Sequence, residues 1–463
     1  MIETFPENAA EFYARRDDRT NRCLGERRYQ TVGCLVSVAP EVLETPTGQA
    51  LFITSCNLLS RWCRGVELLI GGKDPQLING GSSSLGVCRS TLALMKDADP
   101  FGSFEAVDRP SGSCRLQLHI GSRLVRYAEH VVVATAHGWD AGLATDTDPS
   151  LEFSCNGNVL GAIGSACVSG AQLFKLAVDC DRALLLQDGI VDFFRMQRLK
   201  SAGDRLAQPL FDSNIGHVLL IGSGSVGSAA AYFMQMASLS AEMTIIERDT
   251  VKVENFNRSP IFGRNTFGLN KGRALERFLG GGSLKVVDLF EDWWDEFIRQ
   301  RGRVPNAYDV WLPLANEFGV RWSIQNNYPP PMVHASTGVN WSVNFGRHIP
   351  MRDDCLADRF PENTPDAALG CATGHVPTAT KQIDAALPFL SFFAGFLIAA
   401  DLCRINAPEY PQVPNYALFD FGGTMESIQS WDRKPAEECL CKKQIPRLCR
   451  RWNGETKFAH LLP

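Results

Sequence analysis

Short apolar runs that open into helical stretches set the pattern of this chain. The clearest is Val218–Ile221, which enters Gly222-Ser-Gly-Ser-Val-Gly227 and is followed from Ser228 by an Ala-rich helical stretch. A strand, a tight turn and a helix N-terminus in that order let backbone amides approach phosphate oxygens, with Gly222, Gly224 and Gly227 as the turn residues. The next strand, Met243-Thr-Ile-Ile-Glu-Arg-Asp249, ends in acids about twenty residues on, where a ribose hydroxyl is usually held. Asn255, Arg258 and Lys271 follow at close range. A dinucleotide has no evident use for two cations and an amide there, whereas a triphosphate does.

The same pattern recurs, worn, in residues 30–205. Ala50-Leu-Phe-Ile-Thr-Ser-Cys56 predicts an apolar strand entering a helical stretch, and Val66–Ile70 predicts another strand, a βαβ signal without the glycine fingerprint. Val131–Trp139 parallels Met332–Trp341, and the apolar stretch Leu160–Lys175 parallels Leu387–Asp401. Two markers in the same order predict a degenerate internal repeat, with an unrelated α/β first domain as the alternative. The polar stretch Leu199–Pro209 places the boundary, giving domains 1–205 and 206–463, and Asn326–Pro331 predicts a loop before the strand at Met332.

At 463 residues the chain is too long for one ordinary core, which agrees with two α/β domains. Residues 385–400 are apolar enough to suggest a membrane span, yet sixteen helical residues reach only about 24 Å, short of a hydrocarbon core of about 30 Å. A helix buried at an internal interface is the expectation. A net charge of −5 gives no reason to invoke nucleic acid or an anionic membrane surface. The N-terminus reads as no signal peptide. Fifteen scattered cysteines, an odd number, then predict reduced thiols in the cytoplasm.

The run Glu247-Arg-Asp-Thr-Val-Lys-Val-Glu-Asn-Phe-Asn-Arg258, followed by Gly268-Leu-Asn-Lys-Gly-Arg273, resembles the adenylation domain of the ThiF/MoeB/E1 superfamily. The likeness is greatest to the E1 proteins of bacterial ubiquitin-like conjugation operons associated with phage defence. Glu247 stands for the family's first acid, and Ser259 for a glutamine. The resemblance implies two tandem Rossmann-like E1 adenylation folds, an inactive copy and then an active one, forming a pseudo-dimer.

It also implies site residues. The glycine turn, Asn255, Arg258 and Lys271 would hold the phosphates of ATP, and Glu247 with Asp249 the ribose. Asn316 occupies the place of the family's Mg²⁺-binding aspartate, with Glu317 beside it. Cys371, in Gly370-Cys-Ala-Thr-Gly374, matches the cysteine that becomes covalently charged, with Cys355 in reserve. The family's two Cys-x-x-Cys zinc pairs correspond to Cys355-x-x-Asp358 and Cys439-Leu-Cys441. Asp358, Cys449 or a distant histidine is the candidate fourth ligand. One residue of the N-terminal cluster Arg15, Arg16, Arg19, Arg22, Arg27 and Arg28 would complete the site from the other half, and a solvated helix is the alternative.

The implied activity is adenylation of a ubiquitin-like C-terminus, thioester formation and transfer to an E2. The alternatives are activation of a sulfur carrier or peptide without an E2, and a nucleotide-binding scaffold without turnover.

Overall fold

The computed structural model describes residues 3–24, 29–78, 86–154, 158–202, 211–302, 308–315, 318–327, 329–338, 341–359, 387–407, 413–422, 428–443, 457–458 and 461. The first half contributes strands β1 (Cys34–Val38), β2 (Gly65–Ile70), β3 (Ser103–Val107), β4 (Leu116–Ile120), β5 (His130–His137), β6 (Asp140–Thr145), β7 (Gly189–Asp192) and β8 (Gln197–Leu199). Its helices are α1 (Ala9–Arg16), α2 (Asp18–Leu24), α3 (Pro46–Ser60), α4 (Val87–Ala98) and α5 (Leu160–Ala177). The second half contributes β9 (Asn214–Ile221), β10 (Ser240–Ile246), β11 (Leu284–Phe290), β12 (Val310–Pro313), β13 (Met332–Gly338), β14 (Ser342–His348), β15 (Tyr416–Asp420) and β16 (Ile428–Trp431). Its helices are α6 (Ser225–Met236), α7 (Lys271–Leu279), α8 (Trp294–Arg301), α9 (Phe318–Asn326), α10 (Leu356–Arg359), α11 (Pro388–Ile405) and α12 (Leu440–Lys443).

The two sheets have one topology. Their strand orders, β3-β2-β1-β4-β5-β6-β7-β8 and β11-β10-β9-β12-β13-β14-β15-β16, superimpose element for element. In each, the first five strands of that order are parallel and the last three are antiparallel. The repeat expected from sequence is therefore present. Its two markers fall on equivalent elements, β5 with β13 and α5 with α11.

One element differs from the sequence reading. Residues 50–56 lie inside α3, and the first strand is Cys34–Val38. A seven-residue apolar run has no periodicity that separates strand from buried helix. Its flanks decide the matter: Pro46 occupies the first turn, and the Thr45 hydroxyl accepts the Gly48 amide at 3.0 Å as an N-cap.

Helices α5 and α11 are both long and apolar enough to cross a bilayer, and every residue of each is buried within the protein. Helix α11 starts at Pro388, whose missing N–H costs nothing in a first turn. It runs past Asp401 to Ile405 because that carboxylate is paired, with Arg347 Nη1 at 2.9 Å and Arg404 Nη2 at 3.0 Å.

The halves meet across these helices: α5 packs on α3 and α11, and α11 packs on α6. Phe174 of α5 lies 5.9 Å from Trp341 and 5.5 Å from Phe389, and Phe193 lies 4.8 Å from Phe396, centroid to centroid. A Cβ on Gly395 would lie 2.4 Å from the Ala229 Cβ, so glycine permits the close approach of α11 to α6.

Residues 206–463 expressed alone would uncover the α11 and Trp341 surfaces that the first half now covers. Such a fragment is expected to self-associate or precipitate. Light scattering checks this, and a monomeric fragment of full activity would contradict it.

Candidate nucleotide site and thiol cluster

The crevice of the second half opens at the carboxyl ends of β9 and β12, where the strand order reverses direction. Gly222 has φ +90° and a Cβ there would lie 2.9 Å from the Ala315 amide nitrogen, so the turn requires glycine. A Cβ on Gly227 would meet the Gly222 carbonyl oxygen at 2.1 Å. Gly224 is different: it is the N-cap of α6, and a Cβ there would project into open space within the cavity. Backbone amides and the positive end of the α6 dipole are thus presented to whatever occupies the crevice.

Glu247 braces this turn from β10. Its carboxylate accepts the Ser223 amide at 2.7 Å and the Asp249 amide at 2.9 Å, and it is 8% exposed along the cavity wall. Asn270 fastens α7 to the same place, donating to the Glu247 carbonyl at 2.9 Å and accepting the Gly272 amide at 2.8 Å. That fixes Lys271 in the first turn of α7, where its Nζ lies 3.0 Å from the Asp249 carboxylate.

Two adjoining cavities share Gly224, Ser225, Arg248, Asp249 and Lys271. The smaller is walled by apolar side chains including Ile246, Val320 and Trp293, with Arg248 stacked on the Trp293 ring. The larger, about 620 Å³, brings Asn255, Arg258 and Lys271 to one space, as expected, and adds Arg19. Arg258 is 6% exposed and held by the Glu254 carbonyl and by Asn257 Oδ1 at 3.2 Å.

The N-terminal arginines separate by role. Arg16 is fully buried, with Asp17 at 2.6 Å and Asp99 at 2.5 Å. Arg15 meets Glu254 at 3.3 Å, and Arg22 makes an exposed pair with Asp18. Arg19 alone of the described members lines the cavity. Arg27, Arg28, Asn316, Glu317, Cys371 and Cys449 lie outside the described residues.

The first half keeps the crevice and loses its chemistry. A cavity of about 580 Å³ opens at the equivalent place, beyond β1 and β4. There the turn is Ala39-Pro40-Glu41: Pro40 has no N–H to offer, and Glu41 brings a carboxylate where the second half presents amides. Asp108 adds a second acid, so this crevice repels phosphate.

A thiol cluster forms where α10, β14 and α12 meet. Cys355 Sγ lies 2.8 Å from Cys439 Sγ and 3.2 Å from Cys441 Sγ, and Cys441 Sγ lies 3.5 Å from His348 Nε2. His348 was not singled out from sequence, because it sits on a strand seven residues before Cys355 and in no recognisable spacing. Its Nδ1 faces the Asp354 carbonyl at 2.8 Å, which fixes the tautomer with a free Nε2 lone pair toward the thiols. Burial pushes its pKa down and keeps it neutral. Asp358 is spent otherwise, accepting the Cys355 amide at 3.1 Å. Hydrogen bonds from the neighbouring thiols push Cys439 toward thiolate and Cys355 away from it. Cys355 is fully buried here, an arrangement suited to a ligand and poorly to an attacking nucleophile.

Tandem doubly wound domains, one with a phosphate-ready crevice and one without, define the class of this protein as a two-domain nucleotide-binding α/β protein. Residues 195–441, just over half of the chain, match the ThiF family, and the chain belongs to that family. Residues 33–184 match the BilD N-terminal domain. No curated protein matches the chain. Members of the ThiF family generally bind ATP with Mg²⁺ and function as adenylyltransferases of the E1/MoeB type.

Proposed function

We propose that this chain is an E1-like enzyme that activates a ubiquitin-like protein and passes it to an E2. The observation that carries the reading is the cavity where the α6 N-terminus meets Arg258, Lys271 and Arg19. Amides of the glycine turn and these cations would hold the triphosphate, while Glu247 faces the ribose. A carboxylate oxygen of the carrier C-terminus attacks the α-phosphorus, the bond to the bridging oxygen breaks, and pyrophosphate leaves. Fixed cations around that oxygen cluster stabilise the charge that builds on it, and Arg19 brings one of them from the first half. Mg²⁺, by the family resemblance near Asn316, supplies further charge neutralisation when bound with ATP. The Cys371 thiolate then attacks the acyl carbonyl, AMP leaves, and the thioester is exchanged onto an E2 cysteine.

The match of residues 33–184 to the BilD N-terminal domain, with the likeness to E1 proteins of conjugation operons, supports this reading over a sulfur-carrier activator. Incubation of the full chain with ATP and candidate ubiquitin-like proteins tests it. A carrier-sized adduct that dithiothreitol removes is expected, and its absence with every carrier from the same operon would contradict the proposal.

His348, Cys355, Cys439 and Cys441 would hold a structural zinc ion, tying β14 and α10 to the C-terminal segment. Four buried donors of the right kind converge, and the histidine is already oriented by a backbone carbonyl. The purified protein should carry close to one zinc per chain by elemental analysis. His348→Ala should lower that content by about 10–100-fold in affinity and shift the melting temperature down. Unchanged zinc in that variant would remove His348 from the set.

A further inference from the structure

We infer that Arg61, a residue of the first half, is a positioning residue for Arg258 in the second. The inference rests on the reading of Arg258 as a phosphate ligand. Arg61 follows the last residue of α3, is 1% exposed, and directs its whole guanidinium at the other half. Its Nη1 donates to the carbonyls of Phe256, at 3.0 Å, and Phe262; its Nη2 donates to the Pro260 carbonyl at 2.9 Å. The remaining two N–H groups, on Nη2 and Nε, go to Asn57 Oδ1 at 2.7 and 3.0 Å. All five donors of an arginine are thereby used. Asn57 in turn donates from Nδ2 to the Pro260 carbonyl at 3.0 Å.

Arg258 sits between the gripped carbonyls, and its neighbours are fastened as well. Asn257 Nδ2 reaches Thr20 of α2 at 3.1 Å, and Ser259 Oγ meets Ser228 of α6 at 2.8 Å. Past the grip, Asp97 of α4 accepts the Asn265 amide at 2.8 Å, and Gly263 leaves room for that carboxylate. The loop that presents Arg258 is therefore shaped by a helix of the half that lacks a phosphate cradle. Carbonyls face inward toward a buried cation, so the chain between them has little freedom to turn Arg258 away. This gives the first half a task besides covering apolar surface: it sets where the cation of the other half stands.

Lysine at position 61 keeps the charge, but its three N–H groups radiate from one atom and cannot span three carbonyls and an amide oxygen. Misplacement of a charged group by about 1 Å costs on the order of 100-fold in rate. Arg61→Lys is expected to lower the kcat of carrier-dependent ATP–pyrophosphate exchange by about 10–100-fold, with the KM for ATP changed by less than about threefold. Asn57→Ala, which leaves Arg61 in place without its orienting acceptor, should move kcat in the same direction by less.

The test is a double-mutant cycle on the full chain, read both by exchange and by ATP affinity in titration calorimetry, with folding checked by circular dichroism. If Arg61 acts through Arg258, the double variant Arg61→Lys/Arg258→Ala should match Arg258→Ala alone within about threefold in both readouts. Multiplying losses would overturn the inference, because a general loosening of the fold adds to any other defect. Arg61→Lys with wild-type kcat would overturn it as well. A wild-type chain that shows no exchange with any carrier would instead strike at the functional reading, and the cycle in ATP affinity would still decide whether the two arginines are coupled.

Discussion

Arg258→Ala and Lys271→Ala are each expected to abolish most ATP–pyrophosphate exchange while leaving the melting temperature within a few degrees of wild type. Truncating one partner of a desolvated charge pair costs about 2–5 kcal/mol, or about 30-fold to several thousand-fold in rate. The larger loss should follow Arg258→Ala. That guanidinium is 6% exposed, held by backbone and by Asn257, and so presented to the cavity without reorganisation. Lys271 sits in the first turn of α7 with Asp249 as its partner. Asp249 is 54% exposed and is readily solvated once the lysine is gone, so the fold loses little. Lys271→Arg should rescue poorly, because a planar fork replaces a compact point charge in the space beside Asp249. Wild-type exchange in both alanine variants would remove these residues from the site.

Cys371→Ala is expected to separate the two chemical steps. Adenylation uses the carboxylate of the carrier and the α-phosphorus; thioester formation uses the thiolate and the acyl carbonyl. With Glu247, Arg258, Lys271 and the glycine turn intact, the variant should retain carrier-dependent exchange. It should lose the dithiothreitol-sensitive adduct and all transfer to an E2. Cys371→Ser should trap a more stable oxyester, since a serine oxygen is a poorer leaving group in the later exchange. Cys355→Ala is the control. Its sulfur lies against Cys439 and Cys441 in a buried cluster, so its loss should depress stability and both activities together. If Cys355→Ala removed the adduct selectively while Cys371→Ala kept it, the nucleophile would be Cys355.

What was legible in the sequence was what is local. The glycine turn, the acids that close β10 and the first turn of α7 form within a few residues of one another, so spacing alone carries their geometry. The repeat showed through because α5 and α11 must be apolar all round to lie between two sheets, and such helices cannot be disguised. Residues 50–56 misled for a related reason: a helix buried on most sides has no polar face to betray its period, and only Thr45 and Pro46 mark its start. Arg19, Arg61 and His348 were beyond reach as individuals. Each acts on residues far away in the chain, Arg61 on carbonyls about 200 positions on, and a carbonyl contact leaves no trace in side-chain identity. Asp401 looked like the end of a helix and is an interior residue, because Arg347 comes from β14 to pair with it.

Carrier-dependent ATP–pyrophosphate exchange tests the central claim most directly. With the purified full chain and the ubiquitin-like protein of its own operon, exchange should require the carrier, and removal of the carrier's C-terminal residue should abolish it. The first-half crevice offers Pro40, Glu41 and Asp108 in place of a phosphate cradle, so one nucleotide per chain should be bound at saturation. Exchange that proceeds without any carrier, or none with any carrier although ATP binds, would contradict the account.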